Sequence, residues 1–168
     1  MTKCRLVVSA VRSLMGALAV AAWVWMGSSP SDAQTGAEVA AVKVEQALKA
    51  TGFTYKKHNA ITWSIDLERK NLGKLRVIIS NSEDIIVTFA ILTEKAKMRK
   101  TPQLMETLLS ANHEYDYAKI GFDKDGDLFV RIDSPVRVTD TELLKSIIEQ
   151  VANTSSEVFT KNASFLKR

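Results

Sequence analysis

The stretch FDKDGDLFVRI, Phe122 to Ile132, packs three aspartates and a glycine into residues 123–127, and the fold turns on whether they bind a metal or reverse the chain. A helix-loop-helix calcium site needs acidic ligands at its first, third and fifth positions, glycine at the sixth and glutamate at the twelfth. Counted from Asp123, the sixth position is Leu128, the twelfth is Ser134, and the glycine arrives early at Gly126. The chain cannot make that loop's bend where the ligands need it, so the stretch reads as a turn. On its two sides Ala118, Ile120 and Phe122, then Leu128, Val130 and Ile132, alternate with other residues in the manner of strands. A two-residue loop would set Ile120 opposite Arg131 and mix the core and solvent faces. A loop of Lys124, Asp125 and Gly126 instead pairs Phe122 with Leu128, Ile120 with Val130 and Ala118 with Ile132, and gives Gly126 the left-handed position of that hairpin class.

Outward from the hairpin the elements follow in order. Pro135 ends its second strand, TDTE supplies a capping box of Thr139 with Glu142, and Leu144, Ile147, Ile148, Val151 and Ala152 form the apolar stripe of a final helix. Upstream, Thr101 caps and Pro102 begins a helix carrying Leu104, Met105, Leu108 and Leu109, with Asn112 as its expected C-terminal cap. The linker TEKAKMRK before it carries four basic residues and reads as a solvated connection. Nearer the start, a helix over Ala37 to Leu48 stops at Gly52. A short strand opens at Phe53 and Tyr55, followed by strands placing Ile61, Trp63, Ile65, Leu67, then Leu75, Val77, Ile79, inward. A fourth strand, IIVTFAIL, is expected to add Val87 and Phe89 to the same apolar face. The order α-β-β-β-β-α-β-β-α groups the strands between helices, which predicts an α+β fold: a small antiparallel sheet with three packed helices.

The first residues have the character of an address. Lys3, Arg5 and Arg12 precede an apolar run, Leu14 to Gly27, and then SSPSDAQ. A basic head, an apolar middle and a small-x-small exit predict a signal peptide over residues 1–33, cleaved between Ala33 and Gln34, and hence a periplasmic or secreted protein. The run is 14 residues long, against about 20 for a membrane-spanning helix. The expected domain covers residues 34–160, with a C-terminal tail over 161–168. The leader holds three of the 23 basic residues and one of the 19 acidic ones, leaving 20 against 18. A nearly neutral mature chain removes the main support for nucleic-acid binding. Cys4, the sole cysteine, leaves with the leader, so the mature domain has no disulfide and no thiolate chemistry.

The segment LLSANHEYDYAKIGFDKDGDLFVRIDSPVRVTDTELLKSIIEQVA, Leu108 to Ala152, resembles the YbjN family: a leucine-rich helix ending near an asparagine, a hairpin with an acidic-glycine turn, and a long final helix. LKATGFTYKK, Leu48 to Lys57, is similar to that family's opening. The resemblance covers most of Ala37 to Phe159. It implies the type III secretion chaperone-like fold, a protein or peptide partner, a homodimer and no catalytic site.

The side chains add no catalytic motif to this. His58 and His113 are the only histidines and have no metal-ligand spacing; His113, Glu114 and Asp116 read as a polar helix end. Glycine-rich phosphate loops and nucleophile elbows are missing from the sequence. Trp63 falls on the apolar face of its strand and reads as core. No catalytic, cofactor-binding or metal-binding residue is therefore assigned, no cofactor is expected, and no membrane span remains after cleavage. The expected function is an exported, non-enzymatic, chaperone-like interaction module; the alternative is a small enzyme or small-ligand binder whose site is assembled across the sheet. An apolar sheet face with a free strand edge offers two routes to a partner, self-association or strand addition.

Overall fold

The computed structural model describes residues 32–166, so the expected leader up to residue 31 lies outside the described residues. Helix α1 spans Asp32–Ala50 and buries Ala40, Ala41, Val44 and Leu48 at helical spacing. It ends where Thr51 N–H reaches Ala47 O at 3.1 Å and Gly52 takes a φ of 81°. That left-handed turn is open to glycine without strain.

A meander follows: β1 Tyr55–Asn59, β2 Thr62–Arg69, β3 Gly73–Asn81 and β4 Ile85–Thr93. After the short 3-10 turn Lys95–Lys97 and helix α2, Pro102–Glu114, the chain makes β5 Lys119–Phe122 and β6 Leu128–Pro135, then helix α3, Thr141–Lys161. All strands pair antiparallel in one six-stranded sheet of order β1-β2-β3-β4-β6-β5, so the hairpin joins the meander through its second strand. The hairpin register matches the sequence reading: Phe122 faces Leu128, Ile120 faces Val130, and Gly126 sits at φ 88°.

The helices cover one face only. Trp63, Ile65, Leu75, Val77, Ile79, Val130 and Ile132 point into it and are buried, and α3 lays Leu144, Ile148, Val151 and Ala152 over them. Each such side chain contributes about 2 kcal/mol of burial free energy. Leu72, a turn residue, is also in this core.

Three expectations are corrected. In β4 the buried residues are Ile86, Thr88, Ala90, Leu92 and, past the register shift, Thr93, so Val87 and Phe89 face the opposite side of the sheet. The pairs Ile79–Thr88 and Val77–Ala90 set this parity; a strand apolar on both faces does not fix it by itself. The N-cap of α3 is Asp140, whose carboxylate accepts from Leu143 N–H at 2.8 Å. Thr139 is drawn instead into donating to Pro135 O at 2.8 Å. Asn112 does not cap α2, which runs on to Glu114. Beyond α3 the chain turns back, and Leu166 is buried beside Met98, with Arg99 N–H donating to Phe165 O at 2.8 Å.

Candidate interaction surface

The sheet's two edges are treated differently. Along β5, Asn112 works as a surrogate strand: its Oδ1 accepts from Ile120 N–H at 2.8 Å and its Nδ2 donates to Ile120 O at 3.0 Å. That satisfies the outward-facing backbone groups of Ile120 on the β5 edge from the side of α2. The β1 edge carries only exposed and half-exposed residues, Tyr55 to Asn59, with lysines at 56 and 57 and a bulge between Lys57 and Asn59. Lys57 and the Tyr55 hydroxyl both reach Glu45 on α1, at 2.6 and 3.2 Å. The Lys57 hydrogen bond holds the Glu45 carboxyl below its ordinary range, while burial raises the Tyr55 hydroxyl. Lysine and a bulge guard an edge against indiscriminate pairing.

The face opposite the helices has an apolar centre. Phe89 lies beside Ile78 on β3, between Val87 and Ile91 along β4, and Phe129 on β6 is paired with Ile91. All five are half-buried. Phe129 also lies across Gly121 of β5, where a Cβ would come within 3.2 Å of its ring. Two ionic groups frame this patch. On one side Asp66 accepts from Arg76 at 2.8 Å and meets Lys74 at 3.1 Å, and these bonds hold its carboxyl down to about 2. On the other, Asp133 binds Arg131 and, at 2.7 Å, Lys119. Burial pushes the Asp133 carboxyl up, and the two cations outweigh it to leave a net lowering.

The residues singled out from the sequence fall elsewhere. Asp123 Oδ1 accepts from Asp125 N–H at 3.0 Å and Asp127 N–H at 2.9 Å, while Asp127 Oδ1 accepts from Lys95 N–H at 2.7 Å. The aspartates thus hold the turn and the linker together, and Lys100 stands 4.2 Å from the Phe122 ring centroid. Glu114 pairs with Lys161 at 2.7 Å, and this contact raises the lysine. Asp116 offers its backbone carbonyl to Gln150 at 2.7 Å, and among the described residues it, Glu114 and His113 form no metal-holding group. His58 faces the Ser64 hydroxyl at 2.8 Å on the open side of the sheet. Trp63 is fully buried, as its spacing predicts. Among the described residues no group of three or more metal-ligating side chains converges, and no helix is long and apolar enough to cross a membrane. A groove of about 820 Å³ runs between α1 and the β3–β4 and β6–α3 turns, with Val39, Ile85 and Val136 among its walls.

Three helices set on one side and one edge of an antiparallel six-stranded sheet define an α+β domain of the type III secretion chaperone-like class. The chain belongs to the YbjN family, described as "Putative bacterial sensory transduction regulator", which it matches over residues 41–161. The crystal structure of YbjN from E. coli is similar with a TM-score of 0.55 at 15% identity, over 76% of this chain and 94% of that one. The heterodimeric ExoU-SpcU complex from the type III secretion system of Pseudomonas aeruginosa gives 0.52 at 14% identity, covering 74% of this chain and 98% of the matched one. The HopA1-SchA chaperone-effector complex gives 0.52 at 11%, covering 74% and 94%. At these identities the likeness is one of fold. No curated protein matches the chain in sequence.

Proposed function

We propose that the protein is an exported, non-catalytic binding module that holds a protein partner against the open face of its sheet. The observation that carries this reading is the apolar patch around Phe89 on the side no helix covers. A partner seated there would bury the remaining exposed apolar surface of five neighbouring side chains. Two similar structures are complexes of this fold with protein partners, which makes a protein the natural occupant. The address rests on the leader sequence: cleavage between Ala33 and Gln34 delivers the domain to the periplasm or the exterior. Self-association belongs to the same reading, with the β1 edge as its seat. The groove beside α1 favours a second reading, a small-ligand binder, although its Lys43 ammonium is already held by Val136 O at 2.7 Å and Arg137 O at 3.1 Å.

The test is affinity capture from an envelope fraction with the parent and a Phe89→Gln variant as baits, read by mass spectrometry beside the intact mass of the exported protein. A partner retained by the parent and lost by the variant is the expected result, with 33 residues missing from the bait. Identical retention by both baits overturns the binding face, and a full-length species in the membrane pellet overturns the processing.

A further inference from the structure

The open face has a shape and a charge that select among protein partners. Strands β2, β3, β4 and β6 each pair on both sides, so an occupant of this face cannot join the sheet and must satisfy its own backbone. A helix does so. The patch spans three strands, β3, β4 and β6, or about 10 Å at the usual strand spacing, which is close to the diameter of a helix. Along β4 it runs from Val87 to Ile91, about 13 Å and therefore between two and three helical turns.

Charge surrounds that seat on both flanks. Lys56, Lys74, Arg76, Lys119 and Arg131 point to this face, because they share its register with Ile78, Phe89 and Phe129. Asp66, Glu68 and Asp133 are the carboxylates among them. Five cations against three carboxylates leave an excess of two positive charges. Residues 34–168 carry 20 basic against 18 acidic side chains, so the excess of two on this face equals the net charge of the whole expected mature chain. The open face thus carries the positive excess of an otherwise neutral domain. Two such faces repel each other, which disfavours a second copy of the chain as occupant. An anionic lipid surface would meet the face's carboxylates and a flat, half-buried patch with no protruding anchor.

Resting on the reading that this face binds a protein, the geometry points to a partner helix of two to three turns whose apolar stripe is flanked by carboxylates. The carboxylates reach Lys74 and Arg76 on one flank and Lys119 and Arg131 on the other, while the stripe covers Phe89. Rim charges of this kind set selectivity and salt dependence more than total affinity.

Two synthetic amphipathic helices of about 18 residues test this with the chain as purified from cells: both carry a leucine stripe, one flanked by glutamate and the other by lysine. The expected result is that the glutamate peptide binds about tenfold more tightly, two exposed ion pairs at the upper end of their usual strength. The preference should invert in a Lys74→Glu/Lys119→Glu variant, whose changes fall on exposed side chains and leave the core intact. Phe89→Gln should abolish binding of either peptide at an unchanged circular-dichroism spectrum. Equal binding of the two peptides overturns the charge selection, and tighter binding to phosphatidylglycerol vesicles than to either peptide overturns the helix in favour of a membrane surface. If neither peptide binds while Phe89→Gln still abolishes protein capture, the helix inference falls and the binding face stands; if capture is also indifferent to Phe89, both fall.

Discussion

Replacing Asn112 tests how the sheet is closed. In the parent its amide returns both backbone hydrogen bonds that Ile120 would otherwise offer at the β5 edge, at 2.8 and 3.0 Å, and a third bond anchors it to Leu108 O at 3.2 Å. Asn112→Ala removes the pair to Ile120. The position is solvent-accessible, so water can re-solvate the freed groups and the loss falls near the net value of two hydrogen bonds, about 1 to 2 kcal/mol. In a domain of this size that lowers the melting temperature by about 3 to 10 °C. Asn112→Asp sharpens the test. The carboxylate keeps an acceptor for Ile120 N–H but turns a second oxygen toward Ile120 O, so at neutral pH this variant should melt below Asn112→Ala. As pH falls through the ordinary carboxyl range of about 4, the protonated acid regains a donor and the order should reverse. Thermal melts by circular dichroism from pH 7 to pH 3 read both effects. A melting temperature of Asn112→Ala within about 2 °C of the parent, or an aspartate variant without pH dependence, would refute the edge-closing role.

Gly126→Val forces a β-branched residue into a φ of 88° and against Lys95 and Lys100, whose atoms would lie 3.0 and 3.2 Å from the new Cβ. It should cost about 1 to 3 kcal/mol in chemical denaturation, whereas Asp125→Asn, on an exposed tip, should cost under about 0.5 kcal/mol. Calcium that raised the melting temperature of the parent but not of Asp125→Asn would overturn the turn reading. Asp66 is held down to about 2 by Arg76 and Lys74, so its ionised form stabilises the folded state above the unfolded value and that contribution is lost as pH falls toward 2. The melting-temperature gap between the parent and Asp66→Asn should therefore be constant above about pH 5 and close between about pH 4 and pH 2; a gap unchanged at pH 2 would contradict the assignment. Removing the guard on the open edge with Lys56→Val/His58→Thr should increase self-association in light scattering across a concentration series, and an unchanged mass at every concentration would exclude β1 as an association edge.

The hairpin was legible because two strand patterns of period two meet at a glycine, and only one loop length keeps Ile120 and Val130 on a common face. The helices were legible from their stripes and from Thr101 with Pro102. Strand β4 was not: Ile86 to Leu92 is apolar on both faces apart from Thr88, and Thr88 itself is inside. Its parity comes from β3 and β6, partners that periodicity does not name. Asp140 and Thr139 are both competent caps one residue apart, and the choice is made by the Pro135 carbonyl, which takes the threonine. Asn112 depends on a strand eight residues later reaching back to its helix. The make-up of the open face was hidden for the same reason. Its charges are visible as alternating polar positions, but its centre exists only because β6 inserts between β4 and β5 and brings Phe129 and Arg131 beside Ile91 and Phe89.

The unequal edges also limit how far the molecule can polymerise. With Ile120 of β5 bonded to the Asn112 amide, β1 is the more open end of the sheet among the described residues. A second molecule would meet it most readily through its own β1, in a two-fold arrangement that consumes both open ladders. Head-to-tail stacking, which propagates into filaments, needs two complementary ends on every molecule, and here the Ile120 groups of one end are already taken. Pairing of two β1 edges would close at two copies and twelve strands, the doubled count of a six-stranded sheet.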